Sequence, residues 1–514
     1  MSTLSDLSGG TFDVAIIGGG IIGAGIARDL ALRGARVALV EKGDFGSGTT
    51  SGSTRLIHGG LRYLEMLDFS LVRMDLRERE ILLRIAPHLV KPLEFRIPFI
   101  HQSAWFRAKM RAGLLLYDAL SYDRSLPGHR FLGNAETLAD EPALTTGGLH
   151  GAASYFDAQV SMPERLCLEN LIDAVRHGAV VKNYCQVRSA TKINGKVQSL
   201  LVRDTGTGDE SELRAKLFVN ATGAWFDRVQ TLVSGAPSRR LRTTKGIHLT
   251  CAPLVNKANV LFSPLDGRLF FVIPLFGKTW IGTTDTDYPD DPAGVRAEAH
   301  DIEYLLRSVE PFFPAIRSLP IYSTNAGVRA LVRQSGSESS VSRRHKIEET
   351  QPGMFSVLGG KITGYRAIAQ EAADAVCARL GITAECQTAA ASLPGGGPSP
   401  GDSLYGSRED ELRALAGSFG RIGAQARLAV RQEFCQHLDD FLLRRTEHAF
   451  APDWGASVAP EALAALAVEL AWTNAQRDEE WHRYRAAAVR AGAVTAPRPT
   501  RYRAATDPAT EPRP

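Results

Sequence analysis

A glycine-rich turn between a short apolar run and a helical segment constrains this chain more than any other feature. The run Val14–Ile17 is short and rich in β-branched residues, which is typical of a buried parallel strand. Gly18, Gly20 and Gly23 follow with the spacing G-x-G-x-x-G, and a second strand is predicted at Val37–Val40. The segment between them carries good helix formers. Strand, turn, helix and strand in this order predict a dinucleotide-binding unit.

Each conserved feature of such a unit has a physical role that this segment can fill. Gly18 permits the tight turn, Gly20 lets backbone approach a pyrophosphate, and Gly23 lets helix and strand pack closely. The helix N-terminus offers free N–H groups to the phosphates. Glu41, at the end of the second strand, would accept hydrogen bonds from a ribose, which argues against a 2′-phosphate and hence against NADP.

Length and composition limit the remaining possibilities. At 514 residues the chain should form two or three domains, and a net charge of +4 gives no reason to expect nucleic acid. The six cysteines include no C-x-x-C pair, so neither a structural metal nor an iron–sulfur cluster is predicted. The N-terminus lacks a signal-peptide pattern and no apolar run reaches about 18 residues. We therefore expect a cytoplasmic protein whose membrane contact, if any, is peripheral on the inner face.

The pattern of predicted elements indicates an α/β fold with a discontinuous Rossmann-like cofactor domain, an inserted antiparallel-sheet substrate domain and a small C-terminal helical domain. Strand-to-glycine turns at 216–223 and 354–376 repeat the style of the N-terminus, whereas 242–288 is rich in residues typical of antiparallel strands. The expected boundaries are 1–100, 150–240 and 325–392 for the cofactor domain, 101–149 and 241–324 for the substrate domain, 402–492 for the helical domain, and 493–514 for a disordered tail.

Four further segments lead to local predictions. Residues 70–86 read as an amphipathic helix and 92–100 as a strand interrupted by proline. Residues 105–117 mix large apolar side chains with three basic ones and contain no acid, which suits either a helix at a lipid surface or a core helix with one basic edge. Residues 42–65 are dense in small residues and then carry Arg55, His58 and Arg62, which favours a buried loop that faces a ligand.

The N-terminal position of the nucleotide motif in a long chain with an inserted sheet favours FAD, as a prosthetic group, over exchangeable NAD. Several segments then match one family in colinear order over roughly residues 12–395: GGGIIGAGIARDLALRG, TTSGSTRLIHGGLRYLE, VNATGAW, FFVIPLFG, IGTTDTDY, AGVRAL and LGGKITGYR. The sequence resembles the aerobic, FAD-dependent glycerol-3-phosphate dehydrogenases. Ile22 and Arg55 stand where the family commonly has Asn and Lys, and the C-terminal part matches more loosely, through residues 438–446.

The resemblance implies the residues of the site. Arg62, Arg329 and Lys361 would clamp the phosphate and alcohol of the substrate, with Thr363 adding a hydroxyl. A phosphomonoester is nearly doubly charged at pH 7, and arginine offers it a bidentate fork. His58 is the first candidate for the general base and His248 the second. Lys361 could also stabilise the negative charge near N1 of the reduced flavin.

The residues expected to contact FAD come from several segments of the cofactor domain. They are Gly18, Gly20, Gly23, Glu41, Thr49, Thr50, Ser51, Val187, Ala221, Gly223, Gly360, Lys361 and Thr363.

The resemblance further implies oxidation of sn-glycerol 3-phosphate to dihydroxyacetone phosphate, with electrons passed to a membrane quinone. Three alternatives stay open on the residues alone: an oxidase of the same fold that uses O₂, an amine or amino-acid oxidase, and a flavin-bound adaptor or redox sensor. The oligomeric state, including a homodimer, also stays open.

Overall fold

The computed structural model describes residues 2–333, 345–397 and 403–494, apart from the side chains of Arg62, Glu65 and Ser418. Its strands are β1 Thr11–Ile17, β2 Val37–Val40, β3 Leu56–Ile57, β4 Val90–Ile100, β5 Arg130–Leu132, β6 Leu149–Val160, β7 Val180–Lys182, β8 Cys185–Ile193, β9 Lys196–Asp204, β10 Glu210–Asn220, β11 Leu241–Cys251, β12 Ala258–Phe262, β13 Leu269–Leu275, β14 Lys278–Gly282, β15 Thr286–Asp287, β16 Ile321–Val332, β17 Lys346–Gln351 and β18 Met354–Leu358.

The helices alternate with these strands in the first half of the chain and dominate its C-terminal part. They are α1 Leu4–Ser8, α2 Ile21–Leu32, α3 Arg62–Glu65, α4 Phe69–Ile85, α5 Ala104–Leu120, α6 Asn134–Asp140, α7 Pro163–Arg176, α8 Phe226–Ser234, α9 Ala299–Val309, α10 Tyr365–Leu380, α11 Glu409–Ala414, α12 Gly420–Gln432, α13 Leu438–Asp440, α14 Ala459–Leu470 and α15 Asn474–Ala491. Phe441–Arg445 forms a π-helical turn after α13.

The first sheet has eight strands among the described residues, with β18, β10, β1, β2 and β7 parallel in that order. Helices α2, α7 and α10 cover one face, where their apolar side chains share a core with β1 and β2. The other face is covered by the β8–β9 hairpin, α1 and α8. A central parallel strand must be apolar on both faces, and Val14–Ile17 is buried throughout. The predicted Rossmann-like unit is confirmed.

The second sheet has ten strands in the described part of the chain and is antiparallel except for the pairing of β12 with β4. Its centre is β11, β14 and β13, and β16 pairs along the whole length of β11. Helix α9 packs on one face of this sheet, where it contributes to a core that includes Ile247, Leu249 and Phe313. The antiparallel sheet predicted for residues 242–288 is present.

Four strands pair differently from the arrangement that the sequence suggested. Strands β3, β4, β6 and β16 lie wholly or mostly in ranges expected for the cofactor domain, but all four pair within the second sheet. The apolar and small residues of such strands show that they are buried without showing which neighbour they pair with. The exact division of the chain into domains stays a prediction.

The C-terminal part is helical, as the sequence predicted. Helices α12 to α15 enclose their own apolar core around Phe441, Leu466 and Tyr484. Arg165 on α7 forms a buried ion pair with Glu433 at the end of α12, with Nη2 and Oε1 2.9 Å apart. The helical part is therefore joined to the body by buried charges as well as by apolar contacts.

The helix and the strand predicted from local sequence patterns are both present. The helix expected over 70–86 is α4, and the proline-containing strand over 92–100 is β4. The loop 42–65 includes β3 and α3, and Leu56, Ile57 and Tyr63 are buried. Across the described ranges, no helix combines the length and the apolar content needed to cross a bilayer. Residues 495–514, which make up most of the tail expected to be disordered, lie outside the described residues.

Candidate active site

The glycine turn between β1 and α2 has the close contacts that its sequence predicts. Gly18 has φ +108°, and a methyl group added to it would lie 2.7 Å from the carbonyl oxygen of Ala221. A methyl group on Gly23 would overlap the carbonyl oxygen of Gly18. On Gly20 it would meet the Thr50 hydroxyl at an ordinary 3.5 Å. Gly18 and Gly23 are therefore required for packing, whereas Gly20 borders open space at the N-terminus of α2.

Glu41 closes this turn on the β2 side. Its carboxylate accepts hydrogen bonds from the N–H groups of Gly19 (2.8 Å) and Gly43 (2.9 Å). Burial raises the pKa of Glu41, and these two donors oppose that effect. On the other side, the Ile21 N–H donates to the Thr50 hydroxyl (3.1 Å). Gly20, the N-cap of α2, has no side chain that could cap the helix, so the remaining N–H groups face the place where a pyrophosphate would sit.

The segment 46–54 runs from the parallel sheet to the second sheet. The backbone of Gly52 is so close to Gly327 on β16 that a Cβ atom on Gly52 would lie 2.6 Å from its Cα. The Thr49 hydroxyl donates to the Val328 carbonyl (2.8 Å), and the Thr54 hydroxyl lies 3.0 Å from Nε2 of His248 on β11. The loop that follows the nucleotide motif therefore lies directly against β11 and β16.

His248 is buried and stacks on Trp280, with ring centroids 4.9 Å apart. Burial, followed by the charges of Arg329 and Arg55, lowers the pKa of His248 well below its usual value near 6.5. The imidazole is therefore neutral at pH 7, and within the described structure its Nδ1 is buried without a hydrogen-bond partner. Such a ring can exchange hydrogen bonds with a ligand, but it is a weak base.

Arg329 lies on β16, and its guanidinium crosses the neighbouring strand at Gly246, where any side chain would overlap it. Nη1 donates to Asp285 (3.0 Å), and Nη2 donates to the Thr283 hydroxyl (2.8 Å) and the Thr284 carbonyl (3.1 Å). The side chain is 31% exposed. The guanidinium is thus fixed in one orientation and still accessible.

Lys361 and Thr363 lie in the turn between β18 and α10. The N–H of His58 donates to the Thr363 hydroxyl (3.3 Å), so this turn meets the loop after β3. The ammonium of Lys361 lies 2.7 Å from the Asp75 carboxylate and 3.9 Å from the centre of the Tyr63 ring. The same turn touches the nucleotide motif, because a Cβ atom on Gly360 would lie 2.8 Å from Cδ1 of Ile22.

The structure thus brings two groups of predicted residues to the loop 42–65. Thr363 contacts this loop at His58, and His248 contacts it at Thr54. The second sheet links these two contacts. The His58 ring lies against Phe271 on β13, with ring centroids 5.8 Å apart. Gly282 on β14 pairs with Phe271 on one side and with His248 on the other.

Other predicted residues are placed less directly. Val187 packs in the core between β8, β9 and the parallel sheet. The Ser51 hydroxyl donates to the Gly46 carbonyl within its own loop (2.8 Å). Gly223 has φ +54° and begins a short 3₁₀ turn two residues after Ala221. Arg62 is the first residue of α3, and its side chain lies outside the described structure.

Sequence reasoning missed the residues that hold the charged groups in place. Asp75, Thr283 and Asp285 received no role, although Thr283 and Asp285 lie within the motif IGTTDTDY. Asp75 carried no signal, because it lies on an ordinary amphipathic helix. Arg55, which the sequence placed with the ligand-facing residues, instead forms a buried ion pair with Glu164 at 2.8 Å.

The residues of the turn fit a flavin dinucleotide. Open space at Gly20, a helix N-terminus without an N-cap side chain and a carboxylate at the end of β2 suit a pyrophosphate and a ribose in the usual order. The loop 46–54, the β18–α10 turn and Ala221 converge on the same place.

Comparison with known proteins agrees with this geometry. The family described as "FAD dependent oxidoreductase" matches residues 13–375, and the family described as "C-terminal domain of alpha-glycerophosphate oxidase" matches residues 402–477. The chain is therefore an FAD-dependent oxidoreductase.

Individual relatives narrow the class. A glycerol-3-phosphate dehydrogenase from Synechocystis is 36% identical over 94% of this chain and 97% of its own length. An aerobic glycerol-3-phosphate dehydrogenase from Bacillus subtilis is 37% identical over 76% of this chain and 72% of its own length. The crystal structure of the Bacillus halodurans glycerol-3-phosphate dehydrogenase complexed with FAD superimposes with a TM-score of 0.78 at 30% identity, covering 95% of this chain and 96% of that one. This chain belongs to the FAD-dependent glycerol-3-phosphate dehydrogenase family.

Proposed function

We propose that this protein oxidises sn-glycerol 3-phosphate to dihydroxyacetone phosphate with bound FAD and passes the electrons to a membrane quinone. The observation that carries the proposal is the placement of two cations on separate elements that meet one loop. Lys361 lies in the turn whose Thr363 bonds His58, and Arg329 lies on β16, beside the strand whose His248 bonds Thr54. A small dianionic substrate needs cationic groups of this kind beside the cofactor.

Each residue has a defined task in the proposed reaction. Bound FAD supplies the hydride acceptor. Arg329 presents its fixed guanidinium to the phosphate, with Arg62 and Lys361 completing the clamp. His58 takes the proton of the C2 hydroxyl as the hydride leaves C2, so that the alcohol becomes a ketone. His248 is neutral and donates or accepts a hydrogen bond to orient the substrate.

Anaerobic titration of the FAD-loaded protein with glycerol 3-phosphate tests the reaction. We expect the flavin absorbance near the visible maximum to bleach, with one dihydroxyacetone phosphate formed per flavin. Glycine, sarcosine and proline provide the arm for an amine oxidase, and bleaching by one of these alone would contradict the proposal. A spectrum that no substrate changes would point to a flavin-bound adaptor instead.

The choice of His58 as the base is tested separately. His58→Ala should lower kcat by about 10²- to 10⁴-fold, the range that general-base catalysis supplies, while FAD content stays at the wild-type level. Turnover within twofold of wild type would remove His58 from the mechanism.

Helix α5 supports contact with an anionic membrane. Only Leu114 and Tyr117 are buried on this helix, so it lies on the surface, whereas Trp105 is 77% exposed and Leu115 is 62% exposed. Arg107, Lys109 and Arg111 lie on the same helix, and it carries no acid before Asp118. Exposed apolar bulk beside basic residues suits a surface that enters the headgroup region of a bilayer.

The acceptor and the membrane contact are tested together with vesicles of anionic lipid that contain a quinone. Turnover should depend on the vesicle quinone, with little peroxide formed under air. The double variant Trp105→Ser with Leu115→Ser should float less with the vesicles, while Val468→Ser, which removes an exposed apolar side chain from α14, should float as wild type does. Peroxide formed in step with substrate oxidation would identify an O₂-using oxidase instead.

A further inference from the structure

Two carboxylates on α4 each form an ion pair with the segment that begins α10. Asp75 lies 2.7 Å from the Lys361 ammonium, and one turn further on Glu78 forms a two-point ion pair with Arg366, at 2.6 and 2.7 Å. Asp75 is 1% exposed and Glu78 2% exposed. The two pairs are therefore alike in burial and in the elements they join.

The two pairs differ in what they leave available. Both oxygens of Glu78 accept from Arg366, which is also held by Gln370 and Thr388, so this pair is complete within the fold. At Asp75 one oxygen accepts from Lys361, and the other, Oδ1, is buried without a hydrogen-bond partner within the described structure. A purely structural carboxylate at this depth is normally satisfied at both oxygens, because an unmade bond costs about 1–3 kcal/mol.

Lys361 is held on two sides at the turn between β18 and α10. Its ammonium is held between the Asp75 carboxylate and the face of the Tyr63 ring, and its side chain remains 23% exposed. The turn that carries it also carries Thr363, which bonds the backbone of His58. The lysine is thus fixed at the place where the proposed substrate clamp and the flavin-binding turn meet.

We propose that Asp75 is a positioning residue whose carboxylate holds the Lys361 ammonium against Tyr63. It thereby fixes where this ammonium lies beside the flavin and the substrate, and it offsets the positive charge. The proposal rests on the role of Lys361 in the proposed function. The Asp75–Lys361 pair is neutral as a whole, so the turn presents an oriented N–H donor rather than a full uncompensated charge. Glu78 has no part in this and serves the fold alone.

The experiment compares Asp75→Asn with the matched control Glu78→Gln, which breaks an ion pair between the same two elements without touching Lys361. In Asp75→Asn the pair loses its negative charge, so the midpoint potential of the bound flavin should shift upward, as measured by equilibration with reference dyes. The kcat for glycerol 3-phosphate should fall at least tenfold and KM should rise, because Lys361, a member of the proposed clamp, is no longer held in place. In Glu78→Gln the potential and kcat should stay at wild-type values even if Tm falls.

A third measurement needs neither flavin nor substrate. In the apoprotein, the rate at which acetic anhydride labels Lys361, followed by mass spectrometry, should rise at least threefold in Asp75→Asn and stay within twofold of wild type in Glu78→Gln. The labelling rate therefore tests the role of Asp75 independently of the proposed function. If glycerol 3-phosphate failed to reduce the wild-type protein, the proposed function would be wrong, and the labelling rates would still test whether Asp75 holds Lys361.

A second variant guards against misfolding of the first. Asp75→Glu keeps the charge and should return the flavin potential to the wild-type value, whether or not kcat recovers. Equal labelling rates and potentials in wild type and Asp75→Asn would overturn the proposal. So would changes of the same size in Glu78→Gln, since these would show that loosening α4 is sufficient.

Discussion

His248 and His58, the two candidates for the general base, differ in surroundings. His248 is enclosed by β11, β14 and the Trp280 ring, with two arginines near enough to lower its pKa. His58 lies in a loop, half-buried, with its backbone bonded to Thr363. A proton acceptor works best when its pKa is near the operating pH, so the enclosure of His248 argues against it as the base, and His58 stays the proposed one.

The lowered pKa of His248 predicts a pH dependence of stability. Below about pH 6.5 the unfolded chain takes up a proton that the folded chain does not bind, so the free energy of unfolding should fall as the pH falls, by up to about 1.4 kcal/mol per pH unit for this group. His248→Asn lacks this contribution, and its Tm should therefore decline less than that of wild type between pH 7 and 5.5. Differential scanning calorimetry of the FAD-loaded proteins measures the difference. His482→Asn, an exposed site on α15, is the control, and parallel declines in wild type and His248→Asn would contradict the prediction.

Substrate turnover should depend on the planar shape of the Arg329 side chain as well as on its charge. Arg329→Ala removes charged hydrogen bonds worth about 1.5–3 kcal/mol, so kcat/KM should fall about 10- to 150-fold. Arg329→Lys keeps the charge but not the planar fork and should recover only part of the loss. The control is Arg242→Ala, which breaks the pair with Asp287 at the sheet edge. Steady-state kinetics that separate kcat from KM would show the effect, and unchanged values for Arg329→Ala would exclude it from the clamp.

At the scale of elements, the β1–α2–β2 unit depends on backbone contacts that no side chain could replace. The strand end, the helix N-terminus and the turn at Ala221 meet within van der Waals distance at Gly18. The turn between β18 and α10 meets the same helix at Ile22. Several glycines therefore act together to bring four chain segments together at the N-terminus of α2.

Gly18→Ala should abolish FAD retention. The new methyl group would lie 2.7 Å from the Ala221 carbonyl at a φ of +108°, so either the turn or the β10 end must move away from the nucleotide. Gly34→Ala is the matched control, because Gly34 also has a positive φ (+82°) but its methyl group would meet nothing within 4 Å. Its expected effect is a loss of about 1 kcal/mol in stability with full FAD content. The flavin-to-protein absorbance ratio after gel filtration distinguishes the two, and equal ratios would refute the argument.

The parts of the fold that the sequence predicted are those governed by local rules. Residues 11–41 follow a spacing in which each glycine has its own steric reason, and α4 follows from apolar periodicity. The pairing of β4, β6 and β16 in the second sheet depends on contacts between strands far apart in the chain, which no local pattern encodes. For the candidate site, a motif pointed to Lys361, whose role stays a prediction, whereas no pattern pointed to Asp75, because an acidic residue on an amphipathic helix is usually solvated.

At the scale of the whole molecule, the C-terminal helical part contacts the segment that follows Glu41. Asp44, three residues after Glu41, is buried and bonded to Arg444 and to Arg445, whose Nη2 lies 2.8 Å from Oδ1 of Asp44. Although burial opposes it, the charges of Arg445 and Arg444 hold the pKa of Asp44 well below its usual range. The next residue, Phe45, packs edge to face on Phe434, with ring centroids 5.3 Å apart. The helical part thus supports the segment that follows Glu41.

Asp44→Asn should therefore weaken FAD binding without touching any residue of the nucleotide motif. Two buried guanidinium groups would lose their counter-charge, and breaking a buried pair in this way costs about 3–5 kcal/mol. Because Phe45 also lies under Gly19, where any side chain would overlap its ring, loosening this segment disturbs the turn itself. We expect the Kd for FAD to rise at least tenfold, measured by the recovery of flavin fluorescence on dilution.

The control for this prediction is Asp410→Asn, which removes the partner of Arg413 on the surface of the same helical part. It should leave the Kd for FAD unchanged, since an exposed pair contributes about 0–1 kcal/mol and lies away from the nucleotide loop. If Asp44→Asn bound FAD as tightly as the control while its Tm fell, the helical part would stabilise the fold without contributing to retention of the cofactor.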